Sequence, residues 1–241
     1  MVFFYGDIHG NVSSLIDAME HNHVDSGDIV VLLGDVGINY YGNDRGDRRR
    51  KKQLEQTGVY FLCIHGNHER RPSSLPYYRL TKWRGGTVYI EDMYPHIFFA
   101  KDGEVFDLDG PKAIAIGGAY SVDKYYRLIR GLEWFSDEQP SEEIKADVAQ
   151  RLEAINWKID VVLSHTCPAK YIPHEAFLPG LDQTTVDRST EDWLDSIEDR
   201  LSYSVWFCGH WHIDKSIDRI HFLYKGMGYL TPAVAQDELS S

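Results

Sequence analysis

The chain has 241 residues, of which 43 % are hydrophobic and 26 % charged, and a formal net charge of -12. This length suits one large domain, and the apolar fraction is enough to bury a core, which excludes a disordered chain. The acidity argues against a general nucleic-acid-binding surface, except at a local site where bound cations reverse the sign.

Cys63, Cys167 and Cys208 form an odd set without paired spacing, so neither a disulfide framework nor a CxxC metal site is expected. Two of them lie in apolar runs, where cysteine behaves as a small buried hydrophobe. The N-terminus has no basic segment, long apolar stretch or cleavage site, and no run approaches the length of a membrane span. A cytoplasmic location is the default expectation.

In chain order, Val2 to Tyr5 reads as a short apolar strand, and Ser13 to His21 as a helix with Leu15, Ile16 and Met19 at helical spacing. Ile29 to Leu33 is a continuous β-branched and leucine run, as in a parallel strand buried on both faces. The basic stretch from Gly46 to Gln56 suits a solvated helix, and the charges from Arg45 to Lys52 read as its water-facing side. Val59 to Ile64 is a third strand. Short strands then follow at Thr87 to Ile90, Ile97 to Ala100, Glu104 to Leu108 and Lys112 to Ile116.

Ser141 caps a helix reaching Ile155, striped by Ile144, Val148, Leu152 and Ile155. Asp160 to Leu163 is a buried strand, Thr190 to Leu201 a helix and Val205 to Cys208 a strand. Asp218 to Tyr224 and Gly228 to Leu230 are the last strands, before a polar tail. Tyr125-Tyr126 and Trp134-Phe135 read as packing residues. With no repeat or linker, residues 1–241 are expected to form one α/β domain in which two sheets pack together with helices outside.

The chemistry-bearing residues follow predicted strands, where α/β sheets place ligands. The blocks are Gly6-Asp7-Ile8-His9-Gly10-Asn11, Gly34-Asp35-Val36-Gly37, Gly66-Asn67-His68-Glu69, Ser164-His165 and Gly209-His210-Trp211-His212. Carboxylate, imidazole and amide oxygen suit hard or borderline divalent cations. Two such cations close together need a shared anion, and an Asp at a strand end can provide it. Each block alone says little, but five in this order after five strands point to a dinuclear metal site.

Together these blocks resemble the signature of the calcineurin-like metallophosphoesterase superfamily, and the match runs from Gly6 to His212. The resemblance implies a four-layer α/β sandwich of two mixed sheets flanked by helices, with the site at one edge. It implies that Asp7, His9 and His212 hold one divalent metal, that Asn67, His165 and His210 hold the other, and that Asp35 bridges them. His68 would contact the scissile phosphate and protonate the leaving group, beside Asn67 as a substrate contact. Such enzymes use metal-activated water and form no covalent phospho-enzyme. The ligand set lacks thiolate, so manganese is expected, with iron, zinc, nickel or magnesium compatible.

GDIHGN and GNHE look most like the protein phosphatases and dinucleotide tetraphosphatases, so the expectation leans to a phosphomonoesterase acting on a phosphorylated substrate. A phosphodiesterase acting on nucleotides or nucleic acid is the alternative, and a non-catalytic metal-binding scaffold comes third. No Asp-Arg-Gly follows Asp35 to supply a phosphate-binding arginine. The segment Gly117-Gly118-Ala119-Tyr120-Ser121-Val122-Asp123-Lys124 resembles a block in bacterial and phage phosphoesterases. Arg127, with Lys124 and Arg130 beside it, is the candidate replacement if that segment folds over the metals.

Overall fold

The computed structural model describes the chain except Asn43, Leu178, Pro179, Leu181, Asp182 and residues 231–241. The expected polar tail lies outside the described residues. Two mixed sheets of seven and six strands pack face to face with helices on their outer sides. This is the expected four-layer sandwich.

The first sheet contains β1 (Val2–Tyr5), β2 (Ile29–Leu32), β3 (Tyr60–Cys63), β4 (Arg79–Trp83), β5 (Gly86–Ile90) and β6 (Ile97–Ala100). The second contains β7 (Val105–Asp107), β8 (Lys112–Ile116), β9 (Val161–Ser164), β10 (Val205–Cys208), β11 (Lys215–Ile217) and β12 (Ile220–Phe222). The chain then returns to the edge of the first sheet as β13 (Gly228–Tyr229). The first sheet has the order β13-β1-β2-β3-β6-β5-β4 and the second β11-β12-β10-β9-β8-β7. Each has a parallel centre, β1-β2-β3-β6 and β8-β9-β10-β12, with antiparallel strands at its edges.

The strand periodicity sets the layers. In β1, Val2 and Phe4 enter the inter-sheet core with Val31, Leu163 and Phe207, while Phe3 and Tyr5 face outward. There they meet Leu15 and Met19 of α1 (Val12–His21) and Leu54 of α2 (Arg45–Glu55). On the far side, Ile114, Val162 and Trp206 meet Val148 and Leu152 of the fourth helix, Glu142–Ala154, and Leu194 and Ile197 of the fifth, Ser189–Glu198. Asn11 and Ser141 cap their helices by accepting the Ser14 and Ile144 amides. Cys63, Cys167 and Cys208 are buried free thiols. Among the described residues no helix is long and apolar enough to cross a membrane.

The structure adds elements that the sequence pattern did not announce. β4 is an edge strand with largely polar, exposed residues, held by its pairing with β5. The helix α3 (Lys124–Arg130) buries no residue, and Tyr125 and Tyr126 on it are 62 % and 57 % exposed rather than packed. The helix at Glu142–Ala154 is thus α4, and that at Ser189–Glu198 is α5. α2 also corrects the reading of a wholly solvated basic run. Lys51 is fully buried, with its ammonium 2.7 Å from Glu91 and beneath the rings of Tyr77 and Tyr78.

Phe4 and Phe207 stack across the two sheets, with ring centroids 4.1 Å apart and planes 9° from parallel. This contact fixes the sheets against one another just before the chain reaches Asp7 and His210. Phe4→Ala is expected to cost about 3–5 kcal/mol of stability in a urea titration. A cost below about 1 kcal/mol would show that the inter-sheet stack is not important to the fold.

Candidate metal centre

The five blocks leave the C-terminal ends of β1, β2, β3, β9 and β10 and meet over the seam between the sheets. Backbone bonds tie them together. The His9 and Gly10 amides donate to the Asp35 and Val36 carbonyls at 2.8 Å, and the Gly209 amide donates to the His165 carbonyl at 2.9 Å. The loops pass so close that several of their glycines leave no room for a side chain, Gly34 and Gly209 among them. Gly34 has φ +97°, and a Cβ there would stand 2.1 Å from Nδ1 of His165. A Cβ on Gly209 would stand 2.3 Å from Asp7 Oδ1.

All the sequence-predicted ligands come together. His212 Nε2 lies 3.2 Å from Asp7 Oδ2 and 3.0 Å from His9 Nε2. Asn67 Oδ1 lies 2.8 Å from His165 Nε2 and 3.1 Å from His210 Nδ1. Asp35 stands between the two groups, with His165 Nε2 at 3.6 Å, His9 Nε2 at 3.8 Å and His68 Nε2 at 4.0 Å. Among the described residues, Asp7, His9 and His212 form one cluster able to hold a metal, and Asp7, Asp35 and His165 another.

Four of these residues, His9, Asp35, His210 and His212, have φ of 44°, 48°, 66° and 50°. Left-handed backbone is uncommon for non-glycine residues and costs about 1–3 kcal/mol at each sparsely populated position. Six other non-glycine residues share this conformation elsewhere in the described chain, and these four stand together at one place.

The donor chemistry fits divalent cations. His165 Nδ1 sits 2.7 Å from the Leu33 carbonyl, so Nδ1 carries a proton and Nε2 is the atom turned to the site. His165 Nε2 faces Asn67 Oδ1 at 2.8 Å and Asp35 Oδ1 at 3.6 Å. A divalent cation among these atoms would take the imidazole nitrogen and the two oxygens as donors. Burial holds His210 well below the usual imidazole range, with His165 adding to the effect, which keeps it in the neutral form that ligates metal. The bond to Asp7 raises His212. Burial alone would raise Asp35, but His165, His68 and His9 outweigh it and hold the carboxyl below its ordinary value.

His68 sits at the mouth of this cluster. Its backbone amide donates to Asp35 Oδ1 at 2.8 Å, and its Nε2 lies 3.9 Å from Asp123 Oδ1. Burial lowers His68, with Asp35 and Asp123 opposing. The segment after Gly117-Gly118 does reach the site. The Asn67 amide donates to Ser121 Oγ at 2.9 Å, and Asp123 faces His68. Arg127 donates to Asp123 at 2.8 Å, to the Tyr40 hydroxyl at 3.2 Å and to the Glu133 carbonyl at 3.2 Å. Its guanidinium therefore stands behind Asp123.

Glu69 and Glu191 were not singled out in the sequence. Glu69 accepts the Val36, Gly37 and Gly66 amides at 3.3 Å and so binds the second and third loops together. Its place in GNHE was the available signal. Glu191, on α5, is 4 % exposed and accepts the Thr166 hydroxyl at 2.8 Å. Its partner follows His165, but nothing in the local sequence links the two. A cavity of about 250 Å³ opens beside the ligands and is lined by Asp35, Asn67, His68, His210 and His212, with Glu191 and Asp123 in its wall.

The calcineurin-like phosphoesterase family model matches residues 1–214. The chain belongs to that family, and it is a hydrolase that cleaves phosphoester bonds with divalent metal ions. A crystal structure of TT1561 of Thermus thermophilus aligns at TM-score 0.46 and 12 % identity, over 87 % of this chain and 80 % of that one. A second solved structure aligns at TM-score 0.47 and 14 % identity, over 87 % and 83 %. No curated protein matches at a significant level.

The Glu191 carboxyl is pushed up from 4.5 to about 7, first by burial and then by Asp192, against the opposing Thr166 hydroxyl and His165. The folded state therefore holds this proton more tightly than the unfolded state. Its stabilising effect is complete below about pH 4.5 and lost as the pH rises through about 7. The loss is at most about 3 kcal/mol. In chelator-treated protein, Glu191→Gln is expected to flatten the fall in urea midpoint between pH 5 and 7. Parallel profiles for the two proteins would contradict this assignment.

Proposed function

We propose that the chain is a manganese-dependent phosphomonoesterase of one domain, residues 1–241, acting in the cytoplasm. Asp7, His9 and His212 hold one cation, Asn67, His165 and His210 hold the second, and Asp35 is shared. The observation that carries this reading is the Asp35 carboxylate, 1 % exposed and lying between the two groups of donors. An anion so buried needs cations around it. The metal preference follows from a donor set of oxygen and imidazole without thiolate, and the location from three unpaired buried cysteines.

The bound pair supplies activated water and neutralises charge on the phosphoryl oxygens. The remaining work falls to the chain. Ser121 orients the Asn67 amide so that Oδ1 faces the imidazoles, and one N–H stays available to a phosphoryl oxygen. His68 holds a proton at Nε2 for the leaving oxygen, and Asp123 steadies the imidazolium form. Arg127, anchored on Asp123, adds the positive charge that a dianionic monoester calls for on this side.

Turnover of p-nitrophenyl phosphate is expected to be lost on chelation, restored by Mn²⁺, and faster than that of the bis-ester. In Arg127→Ala the monoester rate is expected to fall by about tenfold or more while the bis-ester rate changes little. A strong bis-ester preference that the variant leaves unaltered would overturn the monoesterase reading.

A further inference from the structure

The cavity beside the ligands has two unlike halves. Its floor is the metal-ligand cluster with His68. An apolar part of its wall is formed by Ile172, Ala176, Phe177, Val186 and Trp211. Phe177 and Trp211 face one another as an aromatic pair, with centroids 6.0 Å apart and planes 30° from parallel. These residues come from the loop after β9, the loop before α5 and the turn after β10. None belongs to the ligand set, and Phe177 and Trp211 are partly buried against the outer core.

Charge narrows what this wall can take. Arg188 is the one lysine or arginine lining the cavity among the described residues, and it is exposed. The carboxyls of Asp123 and Glu191 share the lining. A polyphosphate tail would meet more carboxyls than lysine or arginine side chains there, whereas a flat apolar ring would bury a face against Phe177 and Trp211. A volume of about 250 Å³ has room for a ring. His68 lines the same cavity, so the group occupying it is the one that departs with the protonated oxygen.

We infer that this wall is a leaving-group subsite for an aromatic or heteroaromatic ring, and that the preferred substrates are phosphoesters carrying such a ring next to the scissile bond. The inference rests on the phosphoesterase reading above and names the substrate class for the same site. Ring-to-ring contact and apolar burial supply the selectivity, while the metals and Asn67 hold the phosphoryl group whatever it is attached to.

The test measures binding of two inert probes, phenylphosphonate and methylphosphonate, to the Mn²⁺-loaded protein by calorimetry, alongside Mn²⁺-dependent turnover and metal content. Phenylphosphonate is expected to bind about tenfold or more tightly than methylphosphonate. That ratio is expected to shrink severalfold in Phe177→Ala. It should shrink likewise in Val186→Asp, which places a carboxylate in the wall at a half-exposed position. Equal affinities in the parent protein, or a ratio that both metal-loaded variants leave unchanged, would overturn the subsite while Mn²⁺-dependent hydrolysis stands. Absence of hydrolysis of every ester with both metals bound would instead sink the phosphoesterase reading, and the subsite with it.

Discussion

The carboxylate of Asp35 is the constraint on which the strand ends depend. It lies at 1 % exposure, on left-handed backbone, at the point where loops from both sheets converge. A buried anion is tolerated when donors and cations surround it, and here His165, His9 and His68 approach from different strands. Asp35 follows β2 by a short glycine-containing turn, and successive residues of β2 feed opposite cores, so the strand's placement sets where that turn begins. The register of β2 between β1 and β3 is therefore also the register of the site.

The left-handed residues at the site carry a cost that the rest of the fold offsets. Three apolar layers, one between the sheets and one outside each, hold the parallel strands in place. The loops beyond the strands are then tied by backbone bonds and by the three amides that Glu69 accepts. This is how the chain fixes many polar atoms within a few ångströms before any ligand arrives, which is the condition for electrostatic catalysis. The Ser121 bond to Asn67 and the Asp123 contact with His68 extend the same arrangement to the Gly117-Gly118 segment.

Much of this was legible in the sequence because apolar strands ended in glycine-flanked Asp, Asn and His. The strands β1, β2, β3 and β10 are apolar throughout and β9 is apolar up to Ser164, so their ends are unmistakable. Local pattern failed where pairing or tertiary contact decides. β4 has no apolar alternation and exists through its ladder to β5, and α3 has no buried stripe to reveal it. Lys51 looked like a solvated charge because its partner Glu91 and its tyrosine lid lie far along the chain. The placement of Arg127 behind Asp123, the role of Glu191 beside Thr166 and the apolar wall of the cavity depend on segments that meet only in three dimensions.

The central claim is that Asp35 is shared by two cations, and metal stoichiometry tests it most directly. Elemental analysis after dialysis against Mn²⁺ should find two metals per chain in the parent protein. Asp35→Asn should retain neither at full occupancy, and Asp7→Asn should keep one. Two fully retained metals in Asp35→Asn, with the fold intact by circular dichroism, would contradict the account.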